Sequence, residues 1–151
     1  LELWPAFSRD RSRLAWVRWT DQGLGQIVVA NANGGNPRVV TSSPGHYAVP
    51  QFSPDGRTLV FEKRSGGDML SPDYSVDTGI YRLPLAGGNA VLVTRGNRAP
   101  QYGAANDRIF MLGQEKGKLQ LLSTDLNGQD KRVHAVGELA NDFRVSPDGR
   151  T

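Results

Sequence analysis

Apolar and polar residues alternate in short runs along the whole chain, and turn-forming residues separate the runs. In residues 79–85 (GIYRLPL) large apolar residues alternate with others, as in a strand that is buried on one face. Residues 59–62 (LVFE) form a strongly apolar run of strand length. The 18 glycines and 9 prolines are scattered between such runs, which predicts many tight turns and favours short strands over long helices. The pattern therefore predicts an all-β chain.

The pattern repeats along the chain. The fullest copy of the first motif is VPQFSPDGRTLVF at residues 49–61, with one relative 45 residues before it and another 50 residues after it. A fourth copy opens at residue 141. A second motif alternates with the first: NGGNPRVVT at residues 33–41 recurs as AGGNAVLVT at residues 86–94. Two motifs in a fixed order indicate one structural unit that is repeated.

Each unit is predicted to contain four short strands. In the second unit, Ser53-Pro54-Asp55-Gly56 predicts a β-turn, because proline presets φ, aspartate bonds to the backbone and glycine accepts a positive φ. The predicted strands of this unit are 48–52, 59–62, 79–85 and 90–93. In the first unit, strands are predicted at residues 13–20, 26–30 and 38–41. In the third unit, they are predicted at residues 108–112, 119–124 and 132–136.

Four strands repeated at this period are typical of a β-propeller blade. We expect a partial propeller of about three four-stranded antiparallel blades plus the first strand of a fourth, with apolar strands facing the neighbouring blades. The expected blades are residues 4–45, 46–96 and 97–138, and the next begins at 139–151. The period excludes a leucine-rich solenoid. An immunoglobulin-like sandwich is the main alternative, although it does not explain the repeat.

The phrase FSPDGRTLVFE followed by IYRLPLAGGNAVLVT resembles the blade repeat of TolB-like propellers. Arg9 and Arg11 interrupt the SPDG motif in the first unit, and residues 103–106 replace it in the third, which leaves the turn geometry open there. Residues 61–88 also resemble the propeller portion of large secreted or periplasmic amidohydrolase-associated proteins. Similar blades cap prolyl-oligopeptidase-type and tricorn-type peptidases.

The composition and the motifs of the chain exclude several classes of function. The net charge is +3, but the arginines are dispersed, so we expect no nucleic-acid partner. The absence of cysteine from the sequence excludes a disulfide framework and cysteine-based zinc sites. No apolar run is long enough to predict a membrane span. No G-x-S-x-G or H-E-x-x-H motif occurs, and His46 and His134, in different units, are predicted at the surface or a blade edge. We therefore predict no catalytic residue, cofactor or metal.

The link at residues 63–78 is the candidate functional segment, because loops this long inside compact domains are often functional. Its candidate residues are Asp68, Met69, Asp73, Tyr74 and Asp77. A partner or domain contact, a calcium site and a solvated insertion remain open, although the aspartate spacing differs from that of known calcium loops.

Three tryptophans stand early in the chain. Trp16, which the repeat aligns with Phe61 and Phe110, is predicted in the blade core, whereas Trp19 is predicted to be partly exposed.

Taken with the resemblance, these features lead us to expect a non-catalytic propeller platform within a larger periplasmic or secreted protein, attached to a hydrolase domain. We expect the rest of that polypeptide, or further blades, as its partner, together with a protein ligand. One alternative is that loop residues of this segment contribute to substrate gating or to the active site of an amidohydrolase or serine peptidase. Another is a free-standing TolB-like interaction module.

Overall fold

The computed structural model describes residues 1–66, 75–137, 143–146 and 148. Its elements are twelve β-strands: β1 (Glu2–Phe7), β2 (Arg13–Thr20), β3 (Leu24–Asn31), β4 (Arg38–Val39), β5 (Tyr47–Phe52), β6 (Thr58–Lys63), β7 (Gly79–Pro84), β8 (Val91–Thr94), β9 (Arg98–Tyr102), β10 (Arg108–Glu115), β11 (Lys118–Asp125) and β12 (Arg132–Gly137). They form three four-stranded antiparallel sheets, each made of four consecutive strands: sheet 1 (β1–β4), sheet 2 (β5–β8) and sheet 3 (β9–β12). The all-β prediction is confirmed.

The first strands of the three sheets lie beside one another, because β1 packs against β5 and β5 against β9. Each of them carries a register shift at a residue that precedes proline. These residues are Trp4, Val49 and Ala99, with φ values of 50°, 44° and 52°. A positive φ is uncommon for residues other than glycine, and for a bulky residue it marks a special backbone conformation. The repeated X-Pro pair therefore encodes a β-bulge in each first strand.

Side chains of β6 alternate between two hydrophobic cores. Leu59 and Phe61 pack with residues of sheet 1, including Val17 and Ile27. Val60 points the other way and packs with residues of sheet 3, including Ile109. Because successive side chains of a strand point to opposite faces, the middle sheet joins both neighbours.

Arginine side chains add hydrogen bonds between neighbouring sheets. Arg38 Nη2 of sheet 1 donates to the carbonyl O of Leu85 in sheet 2 at 3.0 Å. Arg82 Nε of sheet 2 donates to the carbonyl O of Leu126 in sheet 3, also at 3.0 Å. The two acceptors occupy the same position in the repeat. Part of the dispersed arginine content therefore serves the contacts between sheets.

The first β-turn keeps the geometry of the second in spite of its different sequence. Gly56 N donates to Ser53 O at 2.8 Å and Gly56 has a φ of 70°, as predicted for the SPDG turn. Arg11 N donates to Ser8 O at the same distance, and Arg11 has a φ of 58°. Arg11 thus holds a left-handed conformation that glycine adopts without steric cost.

An aspartate inside each of these two turns collects hydrogen bonds. Ser8 Oγ donates to Asp10 Oδ1 at 2.6 Å, and Ser53 Oγ donates to Asp55 Oδ1 at the same distance. The serine hydroxyl is the main reason why the pKa of Asp10 falls from 3.8 to about 2, with the backbone N–H of Ser12 next. The Ser53 hydroxyl and then the Arg57 N–H lower the pKa of Asp55 in the same way. Both turns therefore favour the ionised carboxylate.

These pKa shifts predict an acid-sensitive contribution to stability. A carboxylate whose pKa is lower in the folded than in the unfolded protein stabilises the fold above the unfolded pKa, and this effect is lost as the pH falls through the folded value. We expect the Tm to drop as the pH is lowered from 3.8 towards about 2. The double variant Asp10→Asn, Asp55→Asn should show a smaller drop in calorimetry. Asp107→Asn, at an exposed turn residue of sheet 3, is the control and should follow the wild type; an unchanged pH dependence in the double variant would contradict this assignment.

The predictions for Trp16 and Trp19 were both wrong. Trp19 is buried, with 4% of its surface exposed, and its Nε1 donates to Asp21 Oδ1 at 3.0 Å. Trp16 is half-buried rather than in the core. It occupies the position of Phe61 in its sheet, but no sheet of the described residues covers that face. Trp19 lies on the opposite face, towards sheet 2, which explains its burial.

The sequence alignment predicted that Phe110 is the equivalent of Phe61. The structure shows that it is not. In the two sheets Phe52 pairs with Leu59 and Tyr102 pairs with Ile109, so the equivalent of Leu59 is Ile109. The residue two places further on, Met111, is then the equivalent of Phe61. The two turns are equally long, so aligning Phe110 with Phe61 shifted this strand by one residue; Phe110 faces the other side of its sheet.

Candidate functional site

A cavity of about 400 Å³ lies where the first strands of the three sheets meet. The repeated X-Pro bulges supply much of its wall, because Trp4, Val49 and Ala99, with the prolines that follow the first and third of them, face it. Its lining residues are Trp4, Pro5, Val49, Gln51, Glu62, Arg64, Arg98, Ala99, Pro100, Gln101 and Arg144. The same repeat that builds the blades therefore builds the cavity.

One position of the repeat contributes a polar side chain to the cavity from successive units. Gln51 and Gln101 hold this position in the second and third copies. Gln101 Nε2 donates to the carbonyl O of Phe143, and the backbone N–H of Val145 donates to Gln101 Oε1 at 3.2 Å. Gln101 thus hydrogen-bonds to the backbone of the fourth copy of the motif and holds it beside sheet 3. In that fourth copy, the equivalent residue is Arg144.

The charged residues of the cavity are organised around Glu62. Arg64 Nε pairs with Glu62 Oε1 at 3.1 Å, and the Ala99 N–H, inside the third bulge, donates to Glu62 Oε2 at 3.3 Å. The guanidinium of Arg64 also lies over the ring of Trp4, 5.4 Å from its centroid, which is a cation–π contact. Both oxygens of Glu62 are therefore engaged, and Arg64 is held in place by two neighbours.

A second hollow, of about 440 Å³, adjoins the first and is more open. Arg64 and Arg98 line both of them. Ser65 and Gly66 also line this hollow, and they are the residues at which the link between β6 and β7 begins. The cavity is therefore continuous with the base of the predicted functional segment.

Most of the predicted functional segment lies outside the described residues. This applies to Asp68, Met69, Asp73 and Tyr74, so their role stays a prediction. Asp77 is described: its side chain is exposed and pairs with Arg95 Nη2 at 3.4 Å. Its backbone carbonyl accepts a hydrogen bond from the Tyr81 hydroxyl.

The base of this segment is anchored to residues that flank sheet 2. Ser75 N donates to Ser65 O at 2.8 Å, which ties its two ends together. The backbone N–H of His46 donates to Ser75 Oγ at 2.9 Å, and His46 Nδ1 lies at the same distance from that hydroxyl. These contacts fix the positions at which the segment leaves and rejoins the sheet.

Of the two positions predicted for His46, the surface and a blade edge, the structure excludes the surface. The side chain is only 4% exposed and packs on Trp19, with 5.2 Å between the ring centroids. Gly45 forms a bridge with Gly25 of β3, and this backbone pairing draws the next residue between sheets 1 and 2. His134 is exposed, as predicted, and it stacks on Phe110.

Sequence reasoning missed the cavity residues. The sequence did not single out these charged residues, because its arginines are dispersed along the chain. They are Glu62, Arg64, Arg98 and Arg144. A signal was present in the repeat, where Arg144 replaces the glutamine of the two preceding copies. Within the described residues, no group of three or more His, Cys, Asp or Glu side chains is placed to hold a metal ion. The same part of the chain contains no helix that is long and apolar enough to cross a membrane.

Comparison with known proteins places this geometry among propellers. The family model described as TolB beta propeller domain matches residues 3–151. The Tol-Pal system protein TolB of Bordetella pertussis is 42% identical over 69 residues, which are 44% of this chain and only 14% of that relative. The structure of a putative TolB from Agrobacterium tumefaciens matches with a TM-score of 0.75 at 19% identity, over 99% of this chain and 56% of that one. The tricorn protease matches with a TM-score of 0.68 at 16% identity, over 96% of this chain and 19% of that one.

Proposed function

Because this chain belongs to the TolB β-propeller domain family, we propose that it is a non-catalytic, protein-binding scaffold within a larger periplasmic or secreted protein. The observation that carries the proposal is the anchored base of the link between β6 and β7. Val76 lies at this base with 73% of its surface exposed, next to Asp77. An exposed apolar side chain beside a charge, next to the anchored Ser75, is suited to contact with another protein.

Further propeller blades are the nearest partners that we propose. Trp16 takes the position that Phe61 uses to contact the preceding sheet, and Leu3 and Leu14 share with it an apolar surface hollow of about 470 Å³. Another sheet placed there would complete the core of sheet 1. The periplasmic location rests on the likeness to relatives of the Tol-Pal system.

A hydrolase domain on the same polypeptide is the second proposal. It is supported by the fold likeness to the tricorn protease, which is a likeness of architecture alone. In this version the link at residues 64–78 would project towards the active site and control access to it. The two proposals predict different effects of deleting the link on enzymatic turnover.

Site-specific photo-crosslinking tests the scaffold proposal. A photoreactive amino acid placed at Val76 of the intact protein, expressed in its own cell, should give a discrete adduct that mass spectrometry identifies as one protein. The same residue placed at Val91, an exposed position on β8, is the matched control. An adduct at Val76 alone supports a partner at the link; no adduct, or equal adducts at both positions, would overturn this assignment.

Deleting residues 67–74 separates the two proposals. Joining Gly66 to Ser75 through an Asn-Gly link leaves the anchoring residues Ser65 and Ser75 in place. If the intact protein is a hydrolase gated by the link, its turnover should fall while the Tm is retained. If the base of the link serves only partner binding, turnover should not change and the Val76 adduct should persist, because Val76 and its anchor are retained.

A further inference from the structure

A groove of about 170 Å³ lies between sheet 2 and the segment that follows β4 of sheet 1. Its lining includes Tyr47, Phe61 and Tyr81 of sheet 2 and residues 40–43 of that segment, and we call it the tyrosine groove. Pockets for small molecules usually measure roughly 300–1,000 Å³. The tyrosine groove is smaller, so it suits a single side chain of another protein.

Among the described residues that line the tyrosine groove, Lys63 is the only charged one. It stands two positions after Phe61 on β6, so both side chains lie on the face that packs on sheet 1. Lys63 is half-buried, and its ammonium group makes no hydrogen bond or ion pair within the part of the chain that the structure describes. Because burying a charge without a partner costs free energy, an anion in the groove would be favoured.

The repeat shows how the equivalent cation of sheet 1 is paired. Arg18 is the equivalent of Lys63, because the two residues have the same register in β2 and β6. Arg18 lies opposite Glu2 of β1, and its Nε pairs with Glu2 Oε1 at 3.3 Å. Lys63 lies opposite Tyr47 of β5, whose pKa is raised by burial, so that this side chain stays neutral. The cation therefore faces a carboxylate in sheet 1 and an uncharged residue in sheet 2.

The exposed side chain of Val76 lies close to the tyrosine groove. Asp77 follows it, and the carbonyl O of Asp77 accepts a hydrogen bond from the Tyr81 hydroxyl. Ser75 precedes it, and Ser75 Oγ accepts a hydrogen bond from the backbone N–H of the residue before Tyr47. Both neighbours of Val76 are thus bonded to the parts of the chain that carry the two tyrosines. A protein that contacts Val76 can place an adjacent side chain in the groove.

We propose that the tyrosine groove receives an acidic side chain of the protein that contacts Val76. The carboxylate of that side chain pairs with the Lys63 ammonium group, as Glu2 pairs with Arg18. Apolar residues next to it in the partner pack on Val76 and on the tyrosine rings. This inference rests on the proposed protein-binding function and adds the chemistry of the partner, which is a segment with an acidic residue between apolar ones.

Isothermal titration of the intact protein with two capped tripeptides tests this chemistry. One peptide has glutamate between two leucines, and the other has glutamine in place of the glutamate. We expect the glutamate peptide to bind with a dissociation constant of about 1 mM or lower. The glutamine peptide should bind at least about tenfold more weakly, because it lacks the charge-assisted hydrogen bond. Equal affinities, or failure of the glutamate peptide to bind at this level, would overturn the proposal.

Three lysine variants locate the binding. Lys63→Gln should abolish the difference between the two peptides, whereas Lys63→Arg keeps the charge and should preserve it. Lys118→Gln removes the same charge from an exposed residue of β11, outside the groove, and is the matched control. An equal loss of affinity in Lys63→Gln and Lys118→Gln would reveal a general charge effect and overturn the site. The comparison of the peptides on the wild-type protein decides the matter even if Lys63→Gln does not fold.

Photo-crosslinking at Val76 distinguishes this proposal from the function on which it rests. In the Lys63→Gln background the yield of the Val76 adduct should fall about fivefold or more, and Lys63→Arg should restore it. An adduct that is unchanged in Lys63→Gln would overturn the acidic contact and leave the scaffold function in place. The absence of an adduct in the wild-type background would instead overturn the scaffold function itself.

Discussion

Replacing Gly128 by alanine is expected to destabilise the protein by about 2–5 kcal/mol. Gly128 has a φ of 77°, where an alanine costs about 1–2 kcal/mol. A Cβ at this residue would also overlap the carbonyl O of Val93 in β8, because the turn of sheet 3 packs directly on sheet 2. Displacing that backbone adds about 1–3 kcal/mol, as for other overpacked sites. The midpoint of urea unfolding, followed by tryptophan emission, measures the effect.

Gly34 is a matched control for Gly128. It occupies the same position of the repeat in sheet 1, with a φ of 83°, and a Cβ there would meet nothing within 4 Å. Gly34→Ala should therefore cost only the backbone share, about 1–2 kcal/mol. Equal losses in the two variants would mean that the contact between Gly128 and Val93 does not limit stability.

Truncating Phe61 to alanine is expected to cost about 3–5 kcal/mol, the usual range for a buried aromatic residue. The side chain is 1% exposed and lies between two tyrosine rings in the core shared by sheets 1 and 2. Its ring meets Tyr47 edge-on at 5.4 Å and stacks on Tyr81 at 6.0 Å, measured between centroids. Removing it opens a cavity at the contact between two sheets, and urea unfolding at constant pH reports the loss.

Phe7 provides the control for this truncation. It ends β1 in sheet 1 with 58% of its surface exposed. Phe7→Ala should change the free energy of unfolding by no more than about 0.5 kcal/mol. If Phe61→Ala proved equally mild, the two sheets would not depend on this core for their association.

The strands and turns could be predicted from the sequence because local chemistry decides them. Arg13–Thr20 was predicted to the residue, and the SPDG turn has the expected positive φ at Gly56. The alignment failed at Phe110, because it placed this residue opposite Phe61, although the two turns are equally long and Met111 is the true equivalent. In a strand a shift of one residue moves a side chain to the opposite face, so a small error of alignment gave the wrong core residue.

Burial at the edges of the repeat could not be predicted from one unit alone. Trp16 and Phe61 occupy the same position of the repeat, yet only Phe61 is covered by a neighbouring sheet. The burial of His46 was not predicted; the bridge between Gly25 and Gly45 draws it between sheets 1 and 2. These outcomes depend on contacts between units, which the pattern within a unit does not contain.

The cavity escaped prediction for a related reason. Its charged residues come from the end of β6, the start of β9 and the fourth copy of the first motif, which are far apart in the sequence. Only the meeting of the first strands brings them together. The long link, in contrast, was conspicuous in the sequence, and of its candidate residues the structure describes Asp77.

The alternation of side chains along β6 also restricts how such a chain can change during evolution. Inserting or deleting one residue within β6 would exchange the side chains offered to sheets 1 and 3, so both contacts would be lost in one event. Length is free to vary where the second strand of each sheet joins the third, at residues 21–23, 64–78 and 116–117. We expect homologous chains to differ by substitution within the strands and by insertion in these three connections. New loops can then arise without disturbing the packing between the sheets.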